Sequence, residues 1–500
     1  MTRGMTKKPY DVRLAAVAVL AAAVLWFFGT GLAPVAALTW LAPLPMFLLA
    51  PRVPGKVAFG GTFAGILLGT TNSWYWYAKS HDLPMWPWGL VASLTFALTL
   101  AVAVLLFRAL LGRGRPLLAV AAAPAVWVGV LHLVSLAPSG IMGTLATTQS
   151  DLPVVLQMAS VTGALGIDYL VLLVPVAIAA WFAPGARGRG RIAVTAGAAV
   201  LVCLGGGALR LAGAEDSPPQ RVALVAGNQK GWAADLATPA GKRLLDAYVD
   251  RLSALPSGVR TAVLPEAAFG SKVARPPELI EPMRRLATTK GMDLVVGFAW
   301  WDGNLKYNYA LVFPAEGGEP AVYLKQHDMV SPKGHDLVFV PGHGREIGIE
   351  ICGDVAHTDT SAAYGRTGSR MLAIPASTED DNGWQASRTA LVRGVENGQA
   401  VLWGGRQAVL SVNDGWGRVR AEKATGEGGE DAFTTVVSEV AGGPGATLYS
   451  RFGDWFEWLC VALGLFAMLV AAYGSREGAA EQRSGPGRDA TLAQGGEAAH

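Results

Sequence analysis

Hydrophobic and polar positions divide the chain into two textures. From Leu14 to about Ala212, apolar runs follow one another with short polar breaks, whereas about Asp216 to Ser450 mixes charged, polar and apolar residues. A further apolar run, 455–473, precedes a tail of Gly, Ala, Glu and Arg too poor in apolar residues to build a core, so 475–500 is expected to be disordered. A bilayer core of about 30 Å needs roughly 20 apolar residues per helix. On that length the chain predicts spans near 14–31, 33–50, 57–77, 88–109, 116–137, 160–183, 192–212 and 455–473. The first two are short and closely spaced, a pattern that also suits a re-entrant hairpin. No small-residue cleavage site follows the first run, which reads as a retained anchor. The expected organisation is a membrane part over 1–213 with about seven helices, a domain over 214–450, a final helix within 451–474, and the tail.

Within 214–450 the periodicity changes to that of an α/β domain. Arg221–Ala226, Thr261–Pro265, Asp293–Ala299, Tyr309–Phe313, Ala321–Leu324, Ile347–Ile351 and Met371–Pro375 read as strands. Helical spacing covers 241–255 and 276–290, and a helix is predicted from Trp384 to Gly398. Three more strands follow at 400–404, 407–412 and 433–439. Strands alternating with helices argue for an α/β sandwich.

Charge orients the membrane part. Arg3, Lys7, Lys8 and Arg13 precede the first predicted span; Arg52 and Lys56 follow the second; Arg108, Arg113 and Arg115 the fourth; Arg187, Arg189 and Arg191 the sixth; Arg476, Arg483 and Arg488 the eighth. The intervening loops 78–87 and 138–159 hold Lys79 as their one basic residue. With eight spans every basic loop falls on one side, which the excess of positive charge marks as cytoplasmic, so the 214–450 domain is expected on the outer face. Trp74, Tyr75, Trp76, Tyr77, Trp86 and Trp88 crowd one outer rim, as an aromatic belt or as the lining of an acyl-chain entry. Composition agrees with a membrane protein: 51% of residues are hydrophobic, 16% charged, and the mean hydropathy is +0.34. The net charge of +3 gives no reason to expect nucleic acid as a partner.

Three strand ends carry candidate chemistry. TAVLP leads into Glu266, AVYL into Lys325 and IGIEI into Cys352, and open α/β sheets place their sites at carboxyl ends of strands. A carboxylate, an ammonium and a thiol so placed suit acyl transfer: the thiolate attacks, the carboxylate takes its proton, and the lysine with the Gly353 N–H stabilises the oxyanion. Taken singly, Cys352 also reads as a small core residue and Glu266 as a cap or surface carboxylate. Cys203 and Cys460 fall in predicted spans, which leaves Cys352 as the thiol of the outer domain.

Together, LPEAAF, VYLKQHD and IEICGD resemble the Glu–Lys–Cys motifs of the carbon–nitrogen hydrolase (nitrilase) superfamily, with separations of 59 and 27 residues. That resemblance implies a four-layer αββα sandwich. Such a domain ahead of the last of eight spans is similar to the apolipoprotein N-acyltransferase family. GTTNSWYWYA, the GTLATTQSDLPVVLQ stretch, YNYALVF, WQASRTALVRGVENG and TLYSRFGDW carry the likeness along the chain. It implies an acyltransferase of the bacterial cytoplasmic membrane, monomeric, taking a fatty acyl chain from a membrane phospholipid. The acyl chain passes through a Cys352 thioester to the N-terminal diacylglyceryl-cysteine of a lipoprotein. Arg393 and Glu396 lie in the helix that buttresses the family's site, although a helix-surface ion pair is an equal reading.

The chain also departs from the family. The lysine strand usually continues as KxxLVPFGE, with an essential glutamate; here it reads KQHDMVSPKGHD, so Lys333 holds that position and His335 becomes the candidate replacement. The arm up to Cys352 is about twenty residues shorter than is usual, Gly353-Asp354 stands where Tyr-Glu is common, and Ala226 where glutamine is common. Two other readings therefore stay open: a membrane-bound amidase or acyltransferase with another acceptor, and a degenerate lipid- or lipoprotein-binding relative. His327, His335, His343 and His357 fit no familiar metal spacing and read as loop histidines, so no metal is expected; nor is a redox cofactor, since no dinucleotide fingerprint occurs.

Overall fold

The computed structural model describes residues 10–79, 85–185, 188–214, 217–229, 231–378, 382–429 and 431–483. The apolar first part forms α1 (Val12–Gly29), α2 (Ala36–Leu41), α3 (Leu44–Leu49), α4 (Gly55–Gly69), α5 (Trp74–Lys79), α6 (Met85–Gly112), α7 (Pro116–Ser135), α8 (Pro153–Leu156), α9 (Ala159–Thr162), α10 (Ala164–Trp181) and α11 (Arg189–Ala212). Asp11 starts α1 by accepting the N–H groups of Arg13 and Leu14.

The second part alternates strand and helix: β1 (Gln220–Gly227), β2 (Ala234–Asp235), α12 (Pro239–Ser253), β3 (Val259–Val263), β4 (Phe269–Ser271), α13 (Pro277–Lys290), β5 (Asp293–Asp302), β6 (Leu305–Phe313), β7 (Ala321–Leu324) and β8 (Ile347–Ile349). Then come α14 (Thr358–Arg366), β9 (Met371–Ser377), α15 (Gly383–Asn397), β10 (Ala400–Arg406), β11 (Val409–Asn413), β12 (Val419–Ala424) and β13 (Phe433–Val440). Helices α16 (Leu448–Phe452) and α17 (Trp455–Arg483) return to the apolar part. One sheet runs β13-β1-β3-β5, with β4 and β2 continuing from one side of β5 and β6 and β7 from the other; the second runs β12-β11-β10-β9-β8. Strands β1, β3 and β5 are parallel, as are β8, β9 and β10.

Period-two alternation produces the layers. On β1, Val222, Leu224 and Ala226 pack against Leu402, Leu410 and Val412 of the facing sheet. Ala223 and Val225 turn instead to Tyr248 and Leu252 of α12 and to Leu279 and Met283 of α13. Leu372, Ile374 and Val401 of the second sheet face Ala386 and Ala390 of α15 and Tyr364 of α14. The result is the expected four-layer αββα sandwich.

Helix α15 has a second allegiance. Its Leu391, Val392 and Val395 lie in the same apolar cluster as Leu156, Ala159 and Ile167 of the membrane part. Polar contacts cross the same seam: Ile141 N–H donates to Ala356 O (2.9 Å), Gln157 Nε2 to Trp416 O (2.9 Å) and Gln385 Nε2 to Gly31 O (3.1 Å). Deeper in, buried Asp168 of α10 accepts from Trp127 Nε1 (3.0 Å) and the N–H groups of Leu145 and Ala146, pinning the irregular 144–150 segment.

Among the described residues, six helices are long and apolar enough to cross a membrane: α1, α6, α7, α10, α11 and the start of α17. The run at 33–50 is two six-residue helices parted at Ala42-Pro43. At 57–77 a 15-residue helix gives way at Thr70 to a 3₁₀ turn and then to α5. Tyr75, Trp86 and Trp88 are exposed on the aromatic rim. The helix of α17 continues past the expected boundary to Arg483, and 484–500 lie outside the described residues.

Candidate active site

Three strand ends converge on one buried point. Leu264-Pro265 carry the chain from β3 to Glu266, β7 runs directly into Lys325, and Glu350-Ile351 lead from β8 to Cys352. Lys325 Nζ donates to Glu266 Oε1 at 2.8 Å. Asn308 of β6 donates to the same oxygen at 2.6 Å, while the Ser377 N–H at the end of β9 holds Oε2 at 3.2 Å. The Cys352 thiol donates to Ser377 O at 3.4 Å and stands close enough to the Glu266 carboxylate to feel its charge. The Gly353 backbone adjoins the lysine: a Cβ there would stand 3.8 Å from Lys325 Nζ.

Backbone geometry serves this convergence. Cys352 and Ala267, beside Glu266, hold φ of +41° and +45°, which costs non-glycine residues of the order of 1–3 kcal/mol each. Gly297 on β5 is required, because a Cβ would come within 2.1 Å of Pro265 O and 2.6 Å of Glu266 Cα. Arg406 of β10 donates to Ser377 Oγ at 3.0 Å and so steadies the loop that holds Glu266.

Electrostatics sets the resting protonation. Burial, then the Glu266 carboxylate, pushes the Cys352 thiol well up, and the nearby ammonium only partly offsets this. The resting sulfur is therefore protonated. Burial works against a charged Lys325, but Glu266, the thiol and Asp328 together raise it above its ordinary value, so it stays an ammonium. Burial also acts to raise Asp328, yet Lys325, the N–H groups of Val330 and Ser331, and the Asn308 side chain hold it below the usual carboxylate range.

Asp328 sits where sequence spacing did not place an acid. His335 is exposed. The arm turns back at Asp328, whose Oδ1 accepts from Val330 and Ser331 (both 2.9 Å), and closes with Gly334 N–H on Lys325 O (2.9 Å). Behind Cys352, Asp354 accepts from Tyr323 OH (2.7 Å), His327 N–H (2.8 Å) and Ile351 N–H (3.0 Å). Sequence reasoning missed Asn308, Asp328, Asp354 and Ser377; of these, Asn308 lies inside the YNYALVF motif.

Arg393 and Glu396 are not a surface pair. Both are buried on α15, with Arg393 Nη1 2.5 Å from Glu396 Oε2. Arg393 Nε donates to Val355 O (2.9 Å), three residues beyond Cys352, and Glu396 Oε1 accepts the Ala164 N–H (2.5 Å) that opens α10. The pair links the loop that follows Cys352 to the start of α10.

One buried acid makes stability fall as pH rises. Burial, then the Asp354 carboxylate, pushes Glu350 up to about 8, against 4.5 for an ordinary glutamate. Between these values the folded state keeps a proton that the unfolded chain releases, so stability declines as pH rises from about 4.5 to 8. Glu350→Gln is expected to flatten that decline, raising the melting midpoint at pH 8 and changing it little at pH 4.5. Parallel midpoint-versus-pH curves for the two proteins would exclude this.

A family profile described as the apolipoprotein N-acyltransferase N-terminal domain matches residues 13–177, and one described as carbon-nitrogen hydrolase matches 221–406. The chain is similar to an apolipoprotein N-acyltransferase of Geobacter metallireducens, 28% identical over 90% of this chain and 92% of that one. It is also similar to an apolipoprotein N-acyltransferase of Thermotoga maritima, 24% identical over 30% of this chain and 29% of that one. A shorter likeness, 29% identical over 31% of this chain and 33% of that one, is to a glutamine-dependent NAD(+) synthetase of Xanthomonas campestris. With a carbon–nitrogen hydrolase sandwich seamed to an N-terminal membrane part that matches along most of its length, the chain is similar to the apolipoprotein N-acyltransferases in both of its halves.

Proposed function

We propose that this protein, a bacterial inner-membrane enzyme, moves a fatty acyl chain from a membrane phospholipid to the α-amino group of a lipoprotein's N-terminal diacylglyceryl-cysteine. The observation that carries this reading is one buried Glu266–Lys325–Cys352 cluster, tied through Arg393 and Glu396 to the helices of a membrane part. The likeness to the apolipoprotein N-acyltransferases supplies the substrate class. The positive loops support a sandwich on the outer face, where such substrates lie.

In the first half-reaction Glu266 takes the thiol proton as Cys352 Sγ bonds to the ester carbonyl carbon of the phospholipid. The oxyanion is held by Lys325 Nζ–H and the Gly353 N–H. Collapse breaks the ester C–O bond, and the lysophospholipid oxygen leaves with the proton from Glu266, giving a thioester. In the second half the lipoprotein amine attacks the thioester carbonyl, its proton passes to Glu266, and the departing sulfur recovers that proton as the amide forms. Asn308 and the Ser377 N–H keep the carboxylate aimed through both halves, and Asp328 balances the ammonium when Glu266 is protonated.

Intact-mass measurement of the full-length protein in phospholipid vesicles tests the reading. A hydroxylamine-labile fatty-acyl adduct on the Cys352 peptide is expected, and it should disappear when a synthetic diacylglyceryl-cysteinyl peptide is added, with the acyl group appearing on that peptide's amine. Free fatty acid in place of acylated peptide would make water the acceptor. An unmodified protein with intact lipid would overturn the reading.

A further inference from the structure

The four histidines between Lys325 and the start of α14 part company in the fold. His335 is exposed, and His343 turns away to buried Asp293, its Nε2 2.8 Å from Oδ2. His327 and His357 meet: their rings lie face to face at 3.7 Å with 10° between planes. Asp359 joins them, with Oδ1 3.1 Å from His327 Nε2, and one ligand atom from each of the three residues lies within 4.8 Å of the others. The Thr360 hydroxyl is also 3.1 Å from His327 Nε2.

The geometry points to a divalent transition-metal site, of zinc type, formed by His327, His357 and Asp359. Two imidazoles and a carboxylate suit zinc, which leaves a fourth position for water or the Thr360 hydroxyl. Ligand atoms about 2.0–2.2 Å from a tetrahedral zinc stand about 3.4 Å from one another. The His327–Asp359 separation, 3.1 Å, is already within a few tenths of an ångström of that value, and turning the His357 ring out of its stack would bring the third nitrogen in.

The backbone pre-forms the site. The His327 N–H donates to Asp354 Oδ1 (2.8 Å) and the His357 N–H to Asp354 O (3.0 Å), so one residue fixes both histidines. Gly140 of the membrane part stands against the His357 edge, where a Cβ would lie 2.9 Å from Nε2. An ion here would join the arm just after Lys325 to the loop just after Cys352, at the seam with the membrane part. Lys333 and Arg393 lie close enough to His357 to act on it electrostatically, and both oppose a cation. Their opposition predicts a site that holds zinc less tightly than a closed structural one.

The test uses tag-free full-length protein in detergent, stripped with chelator, and the metal alone. Wild type is expected to take up one equivalent of Zn²⁺ in equilibrium dialysis and to give visible ligand-field absorption with Co²⁺. His327→Ala, His357→Ala and the exposed, conservative Asp359→Asn should each weaken zinc binding at least about tenfold, whereas His335→Ala should leave it unchanged. Zinc uptake equal in wild type and the His327→Ala/His357→Ala double variant would overturn the proposal. So would wild type with no cobalt absorption, a result that needs no variant to fold.

Discussion

Replacing Glu266 by glutamine is expected to slow acyl-enzyme formation by about a hundred- to ten-thousandfold, the range for loss of a positioned general base. The thiol is held protonated by its burial, so attack without a proton acceptor must pass through a thiolate that the site disfavours. Glutamine Oε1 can still accept from Asn308 and Lys325, which keeps the side chain near its place. Its amide would meet the Ser377 N–H donor to donor, and the ammonium would retain Asp328 and Asp354 as acidic neighbours. The check is the time course of the acyl adduct by intact mass, alongside the melting midpoint. A folded variant acylating within tenfold of wild type would remove Glu266 from the role of base.

Breaking the α15 bridge should have the largest effect on stability. Arg393→Met leaves Glu396 charged, buried and facing the Ala164 N–H alone, and loss of one partner of a buried pair costs about 3–5 kcal/mol. The Val355 carbonyl loses its donor in the same step. The double variant Arg393→Met/Glu396→Gln should recover much of this, because glutamine still offers an acceptor to Ala164 without a stranded charge. Chemical unfolding in detergent reads both. A single variant within about 1 kcal/mol of wild type would mean that the pair is solvated in the membrane-embedded protein.

How far the sequence carried can be judged element by element. Strands with clean alternation were legible, as were helices with one apolar face. Strands β2 and β4 have two and three residues, too short for any period to show. Strand β12 (VRAEKA) is an exposed edge whose charges read as loop, and α14 (TDTSAAYGR) lacks an apolar stripe. The run at 33–50 has span-like composition, but Pro43 divides it.

At the site, Glu266, Lys325 and Cys352 were legible because strand ends announce themselves. Asn308 and Ser377 reach the carboxylate from β6 and from the end of β9, and only the folded sheets bring those strands alongside it. The arm misled for a definite reason. Counting eight or ten residues from Lys325 assumes that the chain keeps extending. Asp328 instead caps a turn, so an acid three residues on, rather than His335, lies beside the ammonium.

Helix α15 also bears on how the protein is made. Its Leu391, Val392 and Val395 need the membrane part to cover them, and α9 and α10, which do so, precede it in the chain. A ribosome delivering residues in order inserts those helices before α15 emerges, so the greasy face meets a waiting partner rather than water. An excised 214–450 fragment has no such partner. It would present that face to solvent, and its self-association in the test tube would say nothing against the stability of the whole.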